Sequence, residues 1–197
     1  MKEVFLNHTI NFIAANQNDL TEEDKEKLAY GLEGIYLTIT KMIVIFLIAF
    51  LLGFLKEFII SLVLFNIIRF PGFGFHASKS IVCLISSTIL ILGIPYLFSN
   101  IEIPLSIKII LCVVSMITFI IFAPADTHKR PLTNKKKRTI RKVCTCLLAL
   151  IYSAAVIIFN NYEISNLFLA ALMIEAIFVS PILYLLFGES YNNYKKV

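Results

Sequence analysis

Charged residues are scarce in this 197-residue chain, 16% in total, where a soluble domain carries about 25%. Tryptophan is absent and histidine occurs only three times. The four cysteines, Cys83, Cys112, Cys144 and Cys146, do not recur at metal-site spacing, and Cys144-Thr-Cys146 has too few residues between its thiols for a CxxC. There is no HExxH, and three scattered histidines do not supply a usual ligand set, so neither a metalloprotease nor a resident metal or cofactor is expected. No internal repeat is visible, and no low-complexity tract beyond one basic loop. These absences disfavour a soluble globule, a disordered chain and a disulfide-rich secreted module. A cleavable signal peptide is not expected: the first 34 residues are polar and acidic, without a basic region leading into an apolar core.

What the chain has is apolar length. Hydrophobic residues make up 58%, and the polar ones gather in a few dense blocks between long uncharged stretches. The expected fold class is all-α, a polytopic membrane protein. A spanning helix needs about 20 mostly apolar residues. Ile81–Phe98, Leu105–Ala123, Val143–Phe159 and Ile164–Phe187 meet or approach that length. Ile35–Leu55 is apolar apart from Lys41 and a few hydroxyls, and Phe58–Ile68 is apolar but too short to span alone, with Lys56-Glu57 between the two. Leu55–Ile68 therefore reads as a shallow or tilted helix whose Lys56 snorkels to the interface. A hairpin over 35–68 makes about six spans; one long helix there makes five. Six is the favoured reading. It divides the chain into N-terminal cytoplasmic amphipathic helices (1–34), a transmembrane region (35–187) and a cytoplasmic tail (188–197).

The net charge of +5 matters less than its placement. Loop 124–142 holds Lys129, Arg130, Lys135, Lys136, Lys137, Arg138, Arg141 and Lys142 against a single acid, Asp126. The short connections Ser99–Pro104 and Asn160–Glu163 hold no Lys or Arg. The positive-inside rule puts the basic loop in the cytoplasm, with Arg69–Ser80 and the tail on the same face. In a spanning protein this basicity points to anionic lipid rather than nucleic acid. At the N-terminus, Val4, Phe5, Leu6, Ile10, Phe12 and Ile13 form an apolar patch suited to the bilayer surface. Thr21 before Glu22, Glu23 and Asp24 is a helix start, with a capping hydroxyl and acids at the positive dipole end.

One segment has the residues for chemistry: Arg69-Phe-Pro-Gly-Phe-Gly-Phe-His-Ala-Ser-Lys-Ser-Ile-Val-Cys83. Pro71, Gly72 and Gly74 keep it from being helical throughout. Ser78 or Ser80 can cap a following helix, which places Cys83 in or just after its first turn, where the dipole favours a thiolate. His76 has the pKa range of a general base for a cysteine nucleophile. Seven residues of continuous α-helix separate two Cα atoms by about 10 Å, too far for a hydrogen bond. A His76–Cys83 dyad thus requires His76 on the irregular Gly/Pro segment, folded back over the helix start. The residues are compatible with that dyad. From residue types alone, the commoner roles are Cys83 as a small apolar residue and Arg69 as a membrane-edge anchor.

The pattern Arg69-x4-Gly74-x-His76-Ala77-x5-Cys83 at the start of a span resembles the AgrB family, membrane cysteine endopeptidases of Gram-positive peptide quorum sensing. Phe122-Ala-Pro-Ala-Asp-Thr-His-Lys-Arg-Pro-Leu132, before the basic loop, looks like the family's APxD…P segment, and Tyr30-Gly31-Leu32-Glu33 is also similar. The resemblance covers nearly the whole chain in length, span number and motif order. One departure is visible: many members carry two adjacent glycines before the x-His-Ala, whereas here Phe73 precedes Gly74, with Gly72 one step earlier. The resemblance implies Cys83 as nucleophile, His76 as general base and acid, and Arg69 and Gly74 in supporting positions. It implies an AgrD-like propeptide as substrate, cleaved by way of an acyl-enzyme and cyclised to a thiolactone or lactone. It further implies a homodimer in the cell membrane with its active site on the cytoplasmic side. Asp126 and Glu175 are candidates for substrate contact or for structural roles. Glu175, the one acid within a span, could pair with Lys108 across helices or line a peptide path. The competing classes are a small transporter, whose only cue is Glu175 with Pro181, and a non-enzymatic membrane scaffold.

Overall fold

The structure is a computed structural model, which describes residues 6, 8–9, 12–13, 21–75, 80–127, 131–159 and 162–195; over 80–83 it describes the backbone alone. Of the N-terminal apolar patch, Val4, Phe5 and Ile10 lie outside the described residues. The chain divides into two compact units, Met1–Ile48 and Ala49–Val197. Among the described residues the elements are helical, in keeping with the all-α expectation.

Helix α1, Glu22–Leu51, runs for 30 residues without interruption at the end of the polar block. It starts where the sequence predicts. Thr21 Oγ1 accepts from the amide of Asp24 (3.2 Å), and the Asp24 carboxylate accepts from the Thr21 amide (3.2 Å) and hydroxyl (2.6 Å), a reciprocal cap. It ends at Gly53, whose φ of 66° is left-handed. The Phe54 amide donates to Ala49 O (2.9 Å) and the Gly53 amide to Phe50 O (3.0 Å), the paired bonds of a Schellman stop. Residues 35–68 are therefore two helices and not one.

Helix α2, Leu55–Gly72, is longer than the apolar run suggests, 18 residues, because it continues through Arg69 to Pro71. At 1.5 Å per residue it covers about 27 Å. Helix α3, Ser80–Ser87, continues through a π-helical stretch, Thr88–Gly93, into α4, Ile94–Ser99. Pro95 has no N–H for the usual bond to the fourth residue back, and the widened turns precede it. Then come α5, Leu105–Phe122, α6, Lys135–Ile158, and α7, Tyr162–Val179, followed by short α8, Pro181–Leu186, and a 3₁₀ turn, Asn193–Lys195.

Among the described residues, four helices are long and apolar enough to cross a membrane: those ending at Leu51, Phe122, Ile158 and Val179, with a shorter apolar helix at Leu84–Ser99. They are not equivalent. Two thirds of the apolar stretch of α7 is buried (67%), against 22% for α5 and α6. It packs on α2, α4, α5 and α6 and forms the centre of the second unit. Ser165, Ala170, Ala171 and Ala176 let those neighbours approach closely. The outer helices turn Ile110, Val114, Ile117, Ile121, Leu150 and Ile157 outward. Apolar surface on that scale belongs in lipid.

Within the second unit the connections sort to two ends. At one, Phe54 packs edge-on to Tyr96 at 5.4 Å, and Asn166 Nδ2 donates to Phe98 O (2.7 Å) and Ile101 O (2.8 Å). At the other, residues 73–75, 123–126 and 193–194 meet. Lys108 does not pair with Glu175. It is buried and donates to Ser165 Oγ at 2.8 Å, which in turn donates to Val156 O at 2.7 Å. Glu175 lies two to three turns away along α7 from Ser165, too far for Lys108 to serve both.

Candidate active site

The site is built where α2 ends. Helix α2 could have continued past Gly72, but Phe73 and Gly74 both take positive φ, 58° and 113°. Phe73 N–H still makes the last helical bond, to Arg69 O (2.9 Å), and the reversal leaves the next two amides to be satisfied outside regular structure. Gly74 N–H donates to Ala125 O (2.9 Å) and Phe75 N–H to Phe178 O (2.8 Å). Ala125 N–H returns a bond to Gly72 O (3.2 Å), making a single bridge between Phe73 and Ala125. The segment before His76 is thus fastened to the end of α2, the Ala123–Asp126 stretch and the end of α7 at once.

Side chains complete the fastening. The Arg69 guanidinium donates through Nη1 to Phe73 O and through Nη2 to Phe75 O (2.6 Å). Its Nη1 also lies 3.4 Å from Glu175 Oε2, and its plane covers the Phe178 ring at 4.6 Å. Two carbonyls that converge on one point repel each other unless a cation with spread donors lies between them, which is what a guanidinium supplies. The Phe75 ring is fully buried, stacked on Phe187 (5.2 Å) and edge-on to Tyr184 (5.5 Å).

Two glycines are dictated by this packing. A Cβ on Gly74 would meet Phe178 O at 2.7 Å and collide with Arg69 Nη1. A Cβ on Gly72 would collide with Glu175 Oε1.

Asp126 is a second hub. Its side chain is buried, with Oδ1 accepting from the Asn193 amide (2.9 Å) and Oδ2 from the amides of Tyr194 (2.7 Å) and Leu132 (3.2 Å). Its carbonyl accepts from the Tyr184 hydroxyl (3.0 Å). One carboxylate therefore ties the tail and the start of the basic loop to the bundle. Nearby, burial holds the Tyr191 phenol up at about 12, with Tyr194 and Asp126 adding to the rise and Arg138 opposing it. Arg138 itself covers the Tyr194 ring at 3.2 Å, and Arg141 donates to Phe70 O (2.8 Å) while covering the Phe73 ring at 4.3 Å.

His76 lies outside the described residues, as do Ala77, Ser78 and Lys79. The chain resumes at Ser80 as the first residue of α3, so Cys83 is the fourth helical residue. Amides of the first four residues of a helix have no intrahelical acceptor. Cys112, Cys144 and Cys146 are free thiols on α5 and α6. Among the described residues, no three His, Cys, Asp or Glu side chains converge as metal ligands.

A profile of the family described as Accessory gene regulator B matches residues 6–179, which takes in Arg69, Gly74, Asp126 and Glu175. The chain belongs to the AgrB family. An AgrB-like protein of Clostridium acetobutylicum is 34% identical over 172 residues, covering 85% of this chain and 80% of its own. One from Listeria innocua is 30% identical over 178 residues, covering 89% and 86%. The accessory gene regulator protein B of Staphylococcus aureus is 26% identical over 168 residues, covering 85% and 89%. No solved structure matches the chain.

Within this AgrB-family chain the structure brings Arg69, Gly74, Asp126 and Glu175 to one end of the bundle. Sequence reasoning missed two members of the arrangement, Phe75 and Phe178, and read Gly72 only as a helix breaker, whereas it lies in the last turn of α2 against Glu175. The spacing Glu175-x-x-Phe178 was a usable signal, because residues three apart share a helix face.

Proposed function

We propose that this AgrB-family chain is a membrane cysteine endopeptidase that removes the C-terminal tail of an AgrD-like propeptide. The observation that carries the reading is the order of the motif on its frame. A tethered segment leads into His76, and a helix begins at Ser80 with Cys83 in its first turn. His76 takes the Cys83 proton, and the thiolate attacks the scissile carbonyl. The tetrahedral oxyanion collapses, breaking the C–N bond, and His76 returns the proton to the leaving amine. The N-terminal part stays on Cys83 as a thioester. A thiol within the bound peptide then adds to that thioester, giving up its proton to His76. Cys83 leaves as thiolate, is reprotonated by His76, and the product is a thiolactone; a serine in place of that thiol gives a lactone. Exchange between thioesters is nearly isoenergetic, so no nucleotide is required. Amides at the start of α3 lack intrahelical acceptors and suit an oxyanion. A membrane-surface site excludes water and so protects the acyl-enzyme from hydrolysis.

The active site faces the cytoplasm of the cell membrane, since it shares an end with the basic loop, and the chain works as a homodimer. The transporter alternative loses its cue. Glu175 is fully buried against Arg69 at 3.4 Å, which is a tether and not a pore lining. The scaffold alternative is separated by thiol reactivity. In lipid at neutral pH, limiting iodoacetamide should alkylate Cys83 faster than Cys112, Cys144 and Cys146. His76→Ala should abolish that preference together with cleavage of a co-expressed propeptide. Equal labelling of Cys83 and Cys144, with propeptide left uncut, would reject the enzyme reading.

A further inference from the structure

We propose that Glu175 is a positioning residue for this chemistry, acting through Arg69 on the backbone that leads into His76; the proposal rests on the endopeptidase reading for its catalytic consequence. Glu175 is fully buried on α7, the most enclosed helix of the bundle. Its Oε2 lies 3.4 Å from Arg69 Nη1, and its Oε1 has no hydrogen-bond partner among the described residues. A buried carboxyl with one unpartnered oxygen is unfavourable on its own. It is tolerated where its position does something for a neighbour, and that neighbour is Arg69. The guanidinium has a single fork with which to hold Phe73 O and Phe75 O. Nothing in the fork itself sets where along α2 the long Arg side chain comes to rest. Glu175 supplies that reference point from the centre of the fold. Phe178, three residues on and so on the same face, supplies two more: its ring lies under the guanidinium at 4.6 Å, and its carbonyl takes the Phe75 amide at 2.8 Å.

Gly72 belongs to the same device. Its lack of a side chain makes the space into which Glu175 Oε1 projects. The carbonyl of Phe75 is the last backbone group before His76. Its position is therefore referred, through Arg69, to a carboxyl on the central helix. Misplacing a catalytic group by about 1 Å lowers the rate by about 100-fold, so a tether one residue away has leverage out of proportion to its distance from the reacting atoms.

The test compares wild type, Glu175→Gln and Glu175→Leu of the full chain in lipid nanodiscs, with two readouts. The first is amide hydrogen exchange of the peptide containing Gly74 and Phe75, against the Leu105–Phe122 helix as internal control. The second is the Cys83 alkylation rate against that of Cys144. Gln keeps an acceptor oxygen of the same reach and should stay within a few-fold of wild type on both. Leu should speed exchange at Gly74 and Phe75 and slow Cys83 labelling by about 100-fold, with the control helix and Cys144 unchanged. Unchanged local exchange and unchanged Cys83 labelling in Glu175→Leu overturn the proposal. Faster local exchange with no Cys83 preference even in wild type upholds the tether and rejects the endopeptidase reading instead. Should Glu175→Leu lose protection in the control helix too, Arg69→Lys replaces it. A lysine has no fork to hold both carbonyls, so local exchange must rise; if it does not, the proposal falls.

Discussion

At the scale of single residues, the most informative position is Phe73. It has a φ of 58° and a ψ of −136°, a conformation that glycine adopts freely and a side chain with a Cβ does not. The resemblance to the family had marked this spot, since many members carry glycine there. What the phenyl ring offers in return is the face covered by Arg141 at 4.3 Å. Backbone strain and ring contact can be separated. Phe73→Ala removes the ring and keeps the strain; Phe73→Gly removes both. Strain in such regions is worth about 1–3 kcal/mol, so Phe73→Gly should melt higher than Phe73→Ala by several degrees in detergent. Equal melting of the two variants would mean that the turn relaxes without glycine. The site motif itself was legible from residue types, because Pro71, Gly72 and Gly74 cannot lie in one continuous helix with Cys83. The partners of that motif were not legible. Asp126 and Glu175 were visible as isolated acids, but a carboxylate that accepts three backbone amides looks, in sequence, the same as one that faces solvent.

At the scale of elements, hydropathy located the apolar helices and local chemistry decided their ends. Helix α1 stops at Gly53 through a Schellman pair that the Leu-Leu-Gly sequence could have signalled, while the eye goes first to Lys56-Glu57. Helix α2 runs on to Gly72 because one charged residue in the last turn, Arg69, does not end a helix; it finds acceptors there. Helix α6 poses a different question. Asn134 caps it by accepting from the Lys137 amide at 3.1 Å, which is favourable. Its first turn then holds Lys135, Lys136, Lys137 and Arg138, cations at the positive end of the dipole. Those charges oppose the helix, so their use lies elsewhere, in topology and contact with anionic lipid. Lys135→Glu with Lys136→Glu should therefore stabilise α6, by about 0.3–1 kcal/mol per residue, while weakening binding to vesicles rich in phosphatidylglycerol. A double variant that melts below wild type would show that the lysines serve the fold itself.

At the scale of the whole molecule, charge and packing address the same question independently. The positive-inside rule groups Arg69–Ser80, loop 124–142 and the tail on one face, and Ser99–Pro104 on the other, from lysine and arginine counts alone. The contacts of the second unit group the same segments without reference to charge. Gly74 bonds Ala125, Asp126 bonds Asn193 and Tyr194, and at the far end Phe54 meets Tyr96 while Asn166 holds Phe98 and Ile101. Only the charge rule says which face is the cytoplasm, so that assignment is the one to test. In a background with Cys83, Cys112, Cys144 and Cys146 all replaced by Ala, single reporters at Thr133→Cys and Lys195→Cys should resist a membrane-impermeant maleimide in intact cells and react after permeabilisation. Reporters at Leu52→Cys and Glu102→Cys should react in intact cells. A fully inverted pattern would place the Cys83 helix outside, where a propeptide made in the cytoplasm could not reach it before export, and the endopeptidase reading would need a different substrate. A split pattern, with positions 133 and 195 on opposite faces, would instead contradict the Asp126 hub, because one carboxylate cannot bond Leu132 and Tyr194 from two sides of a bilayer.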